Sequence, residues 1–207
     1  DYAHAGLQLN GEQPIGVRTL RTSGFDVLVA GRRYGKGSSR EHSPAAEKLA
    51  GVRLVFAESF ERIYRQNADN IGLFTSTNFD LLAKLESGES LTLEELVEGR
   101  DALAAAILRA GGMLKFGQAQ LLSTAVMVPT AAPPAQTLFQ KIIARHLLRT
   151  PVTSTQPEVG QGVFVQADWR FIHEYYTGMA AHMLHVALGK PLALRAPERI
   201  VVFEDHT

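Results

Sequence analysis

The sequence predicts an α/β protein, because short apolar runs alternate along the chain with segments of helical periodicity. Residues 25–30 and 52–57 are apolar runs bounded by glycine or polar residues, which is typical of buried strands. Residues 43–50 and 61–70 have the composition and spacing of helices, and they lie between and after these strands. A strand, helix, strand order favours parallel pairing, with the helices packed on the sheet.

Further helices are expected to close this first part of the chain. Residues 91–110 carry apolar side chains at helical spacing, and Gly111 and Gly112 follow as a stop signal, so one or two helices are predicted there. Residues 117–135 lack periodicity and contain several prolines, which predicts a linker. The apolar stretch 121–128 inside it could instead be a strand.

A second α/β portion follows the predicted linker. From Thr137 a leucine and isoleucine stripe predicts an amphipathic helix that is ended by Thr150 and Pro151. Residues 162–171 alternate between apolar and polar side chains and predict a strand. Residues 173–188 are predicted to be helical, and the apolar run 200–203 is predicted to be a strand.

Composition excludes several classes of protein. The 207 residues are 45% hydrophobic and 20% charged, which is ordinary globular usage. With 21 basic and 21 acidic residues, the chain offers no electrostatic footprint for nucleic acid or for a membrane surface. No apolar run approaches the roughly 18 residues of a membrane span. The absence of cysteine rules out a disulfide scaffold, so we expect a cytoplasmic location.

The most informative motif is the glycine-rich loop after the first predicted strand. The loop presents Ser38, Ser39 and Arg40 just before a helix whose predicted N-cap is Ser43 and whose predicted first residue is Pro44. Glycines let the main chain approach a ligand closely, and a helix N-terminus attracts anions. A guanidinium fork matches a carboxylate, and a hydroxyl among fixed positive dipoles can act as a base. The loop therefore predicts an anion site containing a potential base.

The loop has two other interpretations, a helix cap and a nucleotide-binding loop. A Gly-Ser-Ser turn before a helix can be a simple N-cap, and Arg40 could pair with Glu41 or Glu47 instead of a ligand. A nucleotide loop is excluded, because Gly37 follows Lys36 where the Walker pattern requires Ser or Thr. The dinucleotide pattern also fails, since it requires a glycine at the position of Arg40.

Some polar residues elsewhere are predicted to be structural. Arg62, Asn67 and Asn70 are expected to be buried and to satisfy main-chain groups near the loop. His182 and His185 share a helix face, but apolar neighbours surround them and neither cysteine nor carboxylate completes a ligand set. No metal site is therefore predicted in this chain.

Three blocks of this sequence resemble the swivel domain of the aconitase superfamily, the small subunit of isopropylmalate isomerases and homoaconitases. Residues 35–42 are similar to its Gly-x-Gly-Ser-Ser-Arg-Glu-His signature, and residues 59–73 to its Ser-Phe-x-Arg-Ile block. Residues 107–114 are similar to its Ala-Gly-Gly-Leu ending. Further on, residues 136–146 resemble the opening helix of the large catalytic subunit, and residues 201–207 its strand ending in Asp-His.

The resemblance implies three segments of the chain. A swivel domain with a layered β/α core is expected over residues 1–116 and a linker over residues 117–135. Residues 136–207 are expected to form the N-terminal, incomplete α/β portion of the catalytic domain.

The resemblance also implies a reaction, in which a hydro-lyase or isomerase dehydrates and rehydrates a 2-hydroxy di- or tricarboxylic acid. The acid would be isopropylmalate-, homocitrate- or citrate-like. Ser38 would be the base, and Arg40 would clamp a carboxylate with the help of Gly37 and Ser39. His206, positioned by Asp205, would lie near the departing hydroxyl.

A second implied substrate contact is His173. The match there is imperfect, because Glu174 replaces the usual aspartate of the family and one extra residue precedes Thr177.

The family's 4Fe–4S cluster is expected only in the complete enzyme, because the cysteines that hold it lie beyond the Asp-His pair and this chain has none. The expected partners are the small carboxylic acid and the remainder of the catalytic domain, in the same gene product or a second chain. Nucleic acid and membrane are not expected partners. The alternative hypothesis is a non-catalytic swivel module that binds a carboxylate or a partner protein; an RNA-binding relative is disfavoured by the neutral charge.

Overall fold

The structure is a computed structural model that describes residues 1–37, 41–121, 136–148, 157–189 and 193–204. The chain divides into two compact units, Asp1–Phe116 and Gly117–Thr207. Within the described residues, no helix is both long and apolar enough to span a bilayer.

The first unit is built on a parallel sheet, as the α/β prediction requires. Its described strands are β1 (Val27–Ala30), β2 (Leu54–Ala57) and β3 (Phe74–Ser76), in that order across the sheet. The helices are α1 (Thr19–Thr22), α2 (His42–Ala50), α3 (Arg62–Ile71), α4 (Phe79–Glu86), α5 (Leu93–Val97), α6 (Ala102–Arg109) and α7 (Met113–Leu121). The two predicted strands, the helices between them and the closing helices are all confirmed.

The burial of the strands differs from the prediction in one respect. The central strand β2 is buried along its whole length. In contrast, β1 pairs with β2 alone among the described strands, and its Val29 is 56% exposed. The predicted buried strand over residues 25–30 is therefore wrong in part, because an edge strand leaves one side accessible.

The start of α2 also corrects the sequence prediction. The helix begins at His42 with Glu41 as N-cap, so Ser43 is not the N-cap and Pro44 is the third helical residue. Proline is tolerated there because the first four N–H groups of a helix have no intrahelical acceptor. Pro44 is fully buried, so packing fixes this turn.

The core of the first unit lies on both faces of β2. On one face, Val55 packs with residues of α3 and with Leu73, and on the other face Phe56 packs with Leu81 of α4. A third cluster joins α5 to α6. Burying side chains of this size contributes about 1.5–3 kcal/mol each relative to leaving them exposed.

A buried ion pair attaches α3 to β3. Arg100, whose side chain is 6% exposed, donates from Nε to Asp69 Oδ2 at 3.0 Å and from Nη2 to Asp69 Oδ1 at 3.1 Å. The same Nη2 donates to Thr75 Oγ1 at 2.7 Å. Burial raises the pKa of Asp69, and its contact with Arg100 opposes that shift. Breaking such a pair is costly because it leaves an uncompensated buried charge.

Two glycine turns meet where α3 and α6 end. Gly72 has a φ of +73°, and a Cβ placed there would lie 2.5 Å from the carbonyl carbon of Gly111. Gly112 has a φ of +120°, and its Cβ would lie 2.8 Å from the oxygen of Asn70. The two main chains approach so closely that only glycine fits on either side.

The second unit begins within α7 and holds two small sheets and two complete helices among its described residues. The strand β4 (Leu147–Leu148) pairs antiparallel with β5 (Phe164–Val165), and β6 (Arg170–His173) pairs parallel with β7 (Ile200–Phe203). The helices are α8 (Leu138–His146) and α9 (Glu174–Leu188). A short 3-10 turn, Pro197–Arg199, precedes β7.

These elements confirm two predictions for this unit and correct two. The helix over 173–188 and the strand over 200–203 are present. The helix predicted from Thr137 to Thr150 ends early, at His146, because Leu147–Leu148 pair with β5 instead. The strand predicted over 162–171 is wrong as a single element, because its two ends pair with different partners as β5 and β6. The predicted linker 117–135 starts inside α7, and residues 122–135 lie outside the described part of the chain.

Replacement of Gly72 by alanine tests the close approach of the two turns. Because the new Cβ would press on the Gly111 main chain, we expect Gly72→Ala to lower the free energy of unfolding about 2 kcal/mol more than Gly88→Ala does. Gly88 is the matched control, since its φ is +86° and a Cβ there meets nothing within 4 Å. Urea titrations of both variants measure the difference. Equal losses would show that backbone strain alone accounts for the effect.

Candidate functional site

The glycine loop lies beside the loop that follows β2. The main-chain N–H of Tyr34 donates to the Ser59 oxygen at 2.9 Å, and the N–H of Glu61 donates to the Tyr34 oxygen at 2.8 Å. These bonds extend the parallel pairing of β1 and β2 beyond the ends of both strands. The loop is therefore held at the carboxyl edge of the sheet, where α/β proteins usually bind ligands.

A pocket of about 290 Å³ separates the glycine loop from the beginning of α3. The loop contributes Gly35, Lys36 and Gly37, and the other wall is formed by residues 61–64. Gly35 has a φ of +83°, and a Cβ there would lie 2.2 Å from Cγ of Tyr64. Only glycine lets the loop rest on this ring. A Cβ at Gly37 would meet nothing within 4 Å, so this side of the loop is open.

The charges around the pocket favour an anion. Lys36 and Arg62 line the pocket and are exposed. The acidic lining residue, Glu61, accepts from Nε of Arg33 at 2.7 Å, which offsets its charge. The amino end of α3 adds the positive end of its dipole. The prediction of a buried, structural Arg62 is wrong, because its side chain points away from the core.

A buried carboxylate lies beneath the loop. Glu47 of α2 is 2% exposed, and its Oε1 accepts from Tyr34 Oη at 2.9 Å while its Oε2 accepts from Tyr64 Oη. His4 Nε2 lies 3.1 Å from both Glu47 Oε1 and Tyr34 Oη. Burial raises the pKa of both phenols, and the charge of Glu47 raises it further. The cluster therefore ties the glycine loop to both α2 and α3.

The sequence analysis did not predict this cluster, although the sequence contains one signal of it. Glu47 shares a helix face with Pro44 and Ala50, both of which are buried. A lone carboxylate on the apolar face of a helix predicts buried hydrogen-bond donors nearby. The tyrosines that supply them are distant in sequence and could not be identified from spacing.

The predicted site residues fall into two groups. Gly37 lines the pocket of the first unit, whereas His173 lies in the second unit, at the end of β6 and the N-cap of α9. His173 Nδ1 is 3.9 Å from Glu174 Oε2, and its ring centroid is 4.7 Å from that of Tyr176. The remaining predicted site residues lie outside the described residues: Ser38, Ser39, Arg40, Asp205 and His206.

Two predicted site residues, His173 and Asp205, lie at the end of β6 and, in the sequence, just after β7, and these two strands pair in parallel. His173 pairs with Phe203, which precedes Asp205 by two positions in the sequence. The carboxyl ends of two adjacent parallel strands share one edge of a sheet.

No set of three or more metal-binding side chains occurs in the part of the chain that the structure describes. A 4Fe–4S cluster does not fit the residues of this chain, because the sequence supplies no thiolate ligand.

Comparison with known proteins identifies the family of this chain. A family model described as the aconitase C-terminal domain matches residues 10–78. The 3-isopropylmalate dehydratase small subunit of Pyrobaculum islandicum is 41% identical over 118 residues, covering 50% of this chain and 73% of that protein. The chain therefore belongs to the aconitase superfamily. The resemblance of its first part to the swivel domain is confirmed, whereas that of residues 136–207 to the catalytic subunit stays a prediction.

Other members of the aconitase superfamily match a shorter stretch. The small subunit of the same enzyme from Halothermothrix orenii is 48% identical over 75 residues, which cover 36% of this chain and 45% of that protein. The chain thus spans about half the length of the curated relatives that match it first. A crystal structure of 3-isopropylmalate dehydratase from Methanocaldococcus jannaschii matches with a TM-score of 0.37 and 33% identity, over 46% of this chain and 65% of that one.

The matched segment of this aconitase-superfamily chain contains both walls of the pocket. Residues 10–78 include the glycine loop, Glu47 and the start of α3. His4, which completes the buried cluster, lies just before the matched segment.

Alkaline titration tests the buried cluster. Since Tyr34 and Tyr64 have raised pKa values, the folded protein holds their protons more tightly than the unfolded chain does. Their contribution to stability is fully present below about pH 10, the ordinary pKa of tyrosine, and is lost as the pH rises above it. We expect phenolate absorbance to show that these two of the five tyrosines ionise only as the protein unfolds.

Two single substitutions compare the stability contributed by a buried phenol with that contributed by an exposed one. Tyr64→Phe leaves Glu47 short of a donor and is expected to lower the stability at neutral pH by about 1–3 kcal/mol. Tyr2 is 77% exposed, so Tyr2→Phe should leave the stability unchanged. Ionisation of all five tyrosines near pH 10 in the folded protein would contradict the buried cluster.

Proposed function

We propose that this chain supplies the swivel part of a hydro-lyase or isomerase that dehydrates and rehydrates a 2-hydroxy di- or tricarboxylic acid. The observation that carries the proposal is the electropositive pocket beside the glycine loop, directly before Ser38, in a chain of the aconitase superfamily. The relatives named 3-isopropylmalate dehydratase small subunit favour an isopropylmalate-like acid as the first substrate to test. Homocitrate- and citrate-like acids are the next candidates.

The reaction requires a base and a group that stabilises developing charge. Removing a proton next to a carboxylate places additional negative charge on that carboxylate in the transition state. In this proposal Ser38 takes the proton, and Arg40 binds the carboxylate together with the main chain at Gly37 and Ser39. The positive end of α3 and the side chains of Lys36 and Arg62 support this assignment, because they make the surroundings of the loop favourable to anions.

The anchoring of the loop supports the same assignment. A base must be held within hydrogen-bond reach of its proton, and small displacements cost rate. Tyr34 lies at the start of the loop and the ring of Tyr64 lies under Gly35, and both phenols donate to buried Glu47. Motion of the loop relative to the sheet is thereby restricted just before Ser38.

The second unit is proposed to contribute the acid side of the reaction. His206, positioned by Asp205, would protonate the departing hydroxyl, and His173 would contact the substrate. The pairing of His173 with Phe203 supports a common location, since the residues after both strands leave the same edge of the sheet.

The proposed organisation is a swivel domain over 1–116, a linker over 117–135 and the beginning of the catalytic domain over 136–207. A 4Fe–4S cluster belongs to the complete enzyme, with its ligands in the remainder of the catalytic domain, which is the expected partner of this chain. A cytoplasmic location is part of the proposal.

Two substitutions in the loop test the roles of its side chains. With the cluster-bearing remainder of the enzyme reconstituted anaerobically, we expect Ser38→Ala to lower kcat for hydration of an unsaturated diacid about 10²–10⁴-fold, because general-base catalysis has that magnitude. KM should change little. Arg40→Lys should instead raise KM about tenfold or more, because a lysine cannot bind a carboxylate bidentately.

Ser43→Ala is the matched control for these assays. Ser43 is exposed on the first turn of α2 and lies outside the proposed machinery, so its removal should leave kcat and KM unchanged. Near-full activity of Ser38→Ala would overturn its role as the base. Carboxylate binding without any hydration by the reconstituted enzyme would favour a non-catalytic swivel module.

A further inference from the structure

A second pocket lies within the second unit. It has a volume of about 270 Å³ and is formed where β5 leads into β6 and where the chain turns towards β7. Three of its lining residues are arginines and none is acidic; the lining is Gln166, Ala167, Arg170, Arg195, Ala196 and Arg199. No residue of this set has a role in the proposed reaction.

Arg170 forms part of the pocket wall and has an incomplete set of hydrogen bonds. Its Nη2 donates to the oxygen of Ala196 at 2.7 Å and also to the oxygen of Arg195, which fixes the guanidinium against the turn. Its Nε is shielded from solvent and has no acceptor among the described residues. A buried N–H without a partner is destabilising, so an acceptor from outside the chain would be stabilising.

The two other arginines place additional positive charge at the same pocket. Arg195 and Arg199 are exposed, and neither forms an ion pair with any residue that the structure describes. The nearby carboxylate of Asp168 lies 3.7 Å from His146 Nε2 and does not line the pocket. Like charges held close together repel one another, and a bound anion would relieve that repulsion.

We propose that this pocket binds a small oxyanion, a phosphate or a carboxylate, through Arg170, Arg195 and Arg199. Guanidinium groups present parallel N–H donors that match the oxygens of both anions. The occupant is a free anion or the anionic end of a small metabolite.

Titration with inorganic phosphate tests this site without any assay of activity. All titrations use the full chain carrying Lys36→Gln, Arg40→Gln and Arg62→Gln, so that the pocket of the first unit loses its cationic side chains, and chloride keeps the ionic strength constant. We expect calorimetry to show one saturable site. The NMR signal of the Arg170 Nε–H should shift with the same affinity as phosphate fills the pocket.

Two substitutions in the pocket and one control outside it test whether phosphate binds in this pocket. Arg195→Gln and Arg199→Gln should each weaken phosphate binding about tenfold, because each removes a charge-assisted hydrogen bond. Arg145→Gln, a loss of the same charge from the exposed surface of α8, should leave the affinity unchanged. Circular dichroism confirms that the variants are folded.

Malonate in place of phosphate identifies the class of anion. Tighter binding of malonate, with the same dependence on Arg195 and Arg199, assigns the pocket to carboxylates, and the reverse preference assigns it to phosphates. Phosphate and malonate affinities no greater than that of chloride would overturn the proposal. Full affinity in both pocket variants, or an Arg170 signal that does not move, would also overturn it. The Ser38→Ala assay tests only the proposed reaction, and the phosphate titration tests only the second pocket. Either proposal can therefore be overturned without affecting the other.

Discussion

The first unit depends on one buried carboxylate and the two phenols that donate to it. Glu47 lies on α2, Tyr34 lies in the glycine loop, and Tyr64 lies on α3, so three segments converge on two oxygen atoms. A buried carboxylate without donors would be strongly destabilising, which means that the helices and the loop must keep this arrangement for the unit to fold. The ring of Tyr64 in turn supports Gly35, so the same bonds that stabilise the core also determine the shape of the anion pocket.

The sequence was sufficient to predict the elements whose signals are local. The apolar run of β2 and the periodicity of α3, α8 and α9 depend on neighbouring residues, and these elements are present within a few positions of the prediction. Features set by pairing were missed. The split of residues 162–171 into β5 and β6 depends on two different partner strands, and no periodicity within that segment records the change of partner.

The candidate site was predictable to a similar extent. The glycines, hydroxyls and guanidinium of the loop indicate an anion site by residue type alone, and the order of elements predicts that the loop lies at a sheet edge. The opposite wall could not be predicted, because Arg62 has an ordinary helical context and only the packed structure shows it facing the pocket. The contact between Gly35 and Tyr64 was also inaccessible, since it joins residues on separate elements.

The two anion sites proposed here have different physical origins but share one property. The pocket of the first unit relies on main-chain N–H groups, a helix dipole, Lys36 and Arg62, and the pocket of the second unit relies on three guanidinium groups. All of these groups donate hydrogen bonds, and neither a guanidinium nor an ammonium group can accept one. Both sites therefore favour an oxyanion, which accepts hydrogen bonds on every oxygen, over a neutral ligand that must also donate them. The phenols bonded to Glu47 hold their protons more tightly than an ordinary tyrosine does, because their pKa values are raised, so they support the glycine loop for as long as the first unit stays folded.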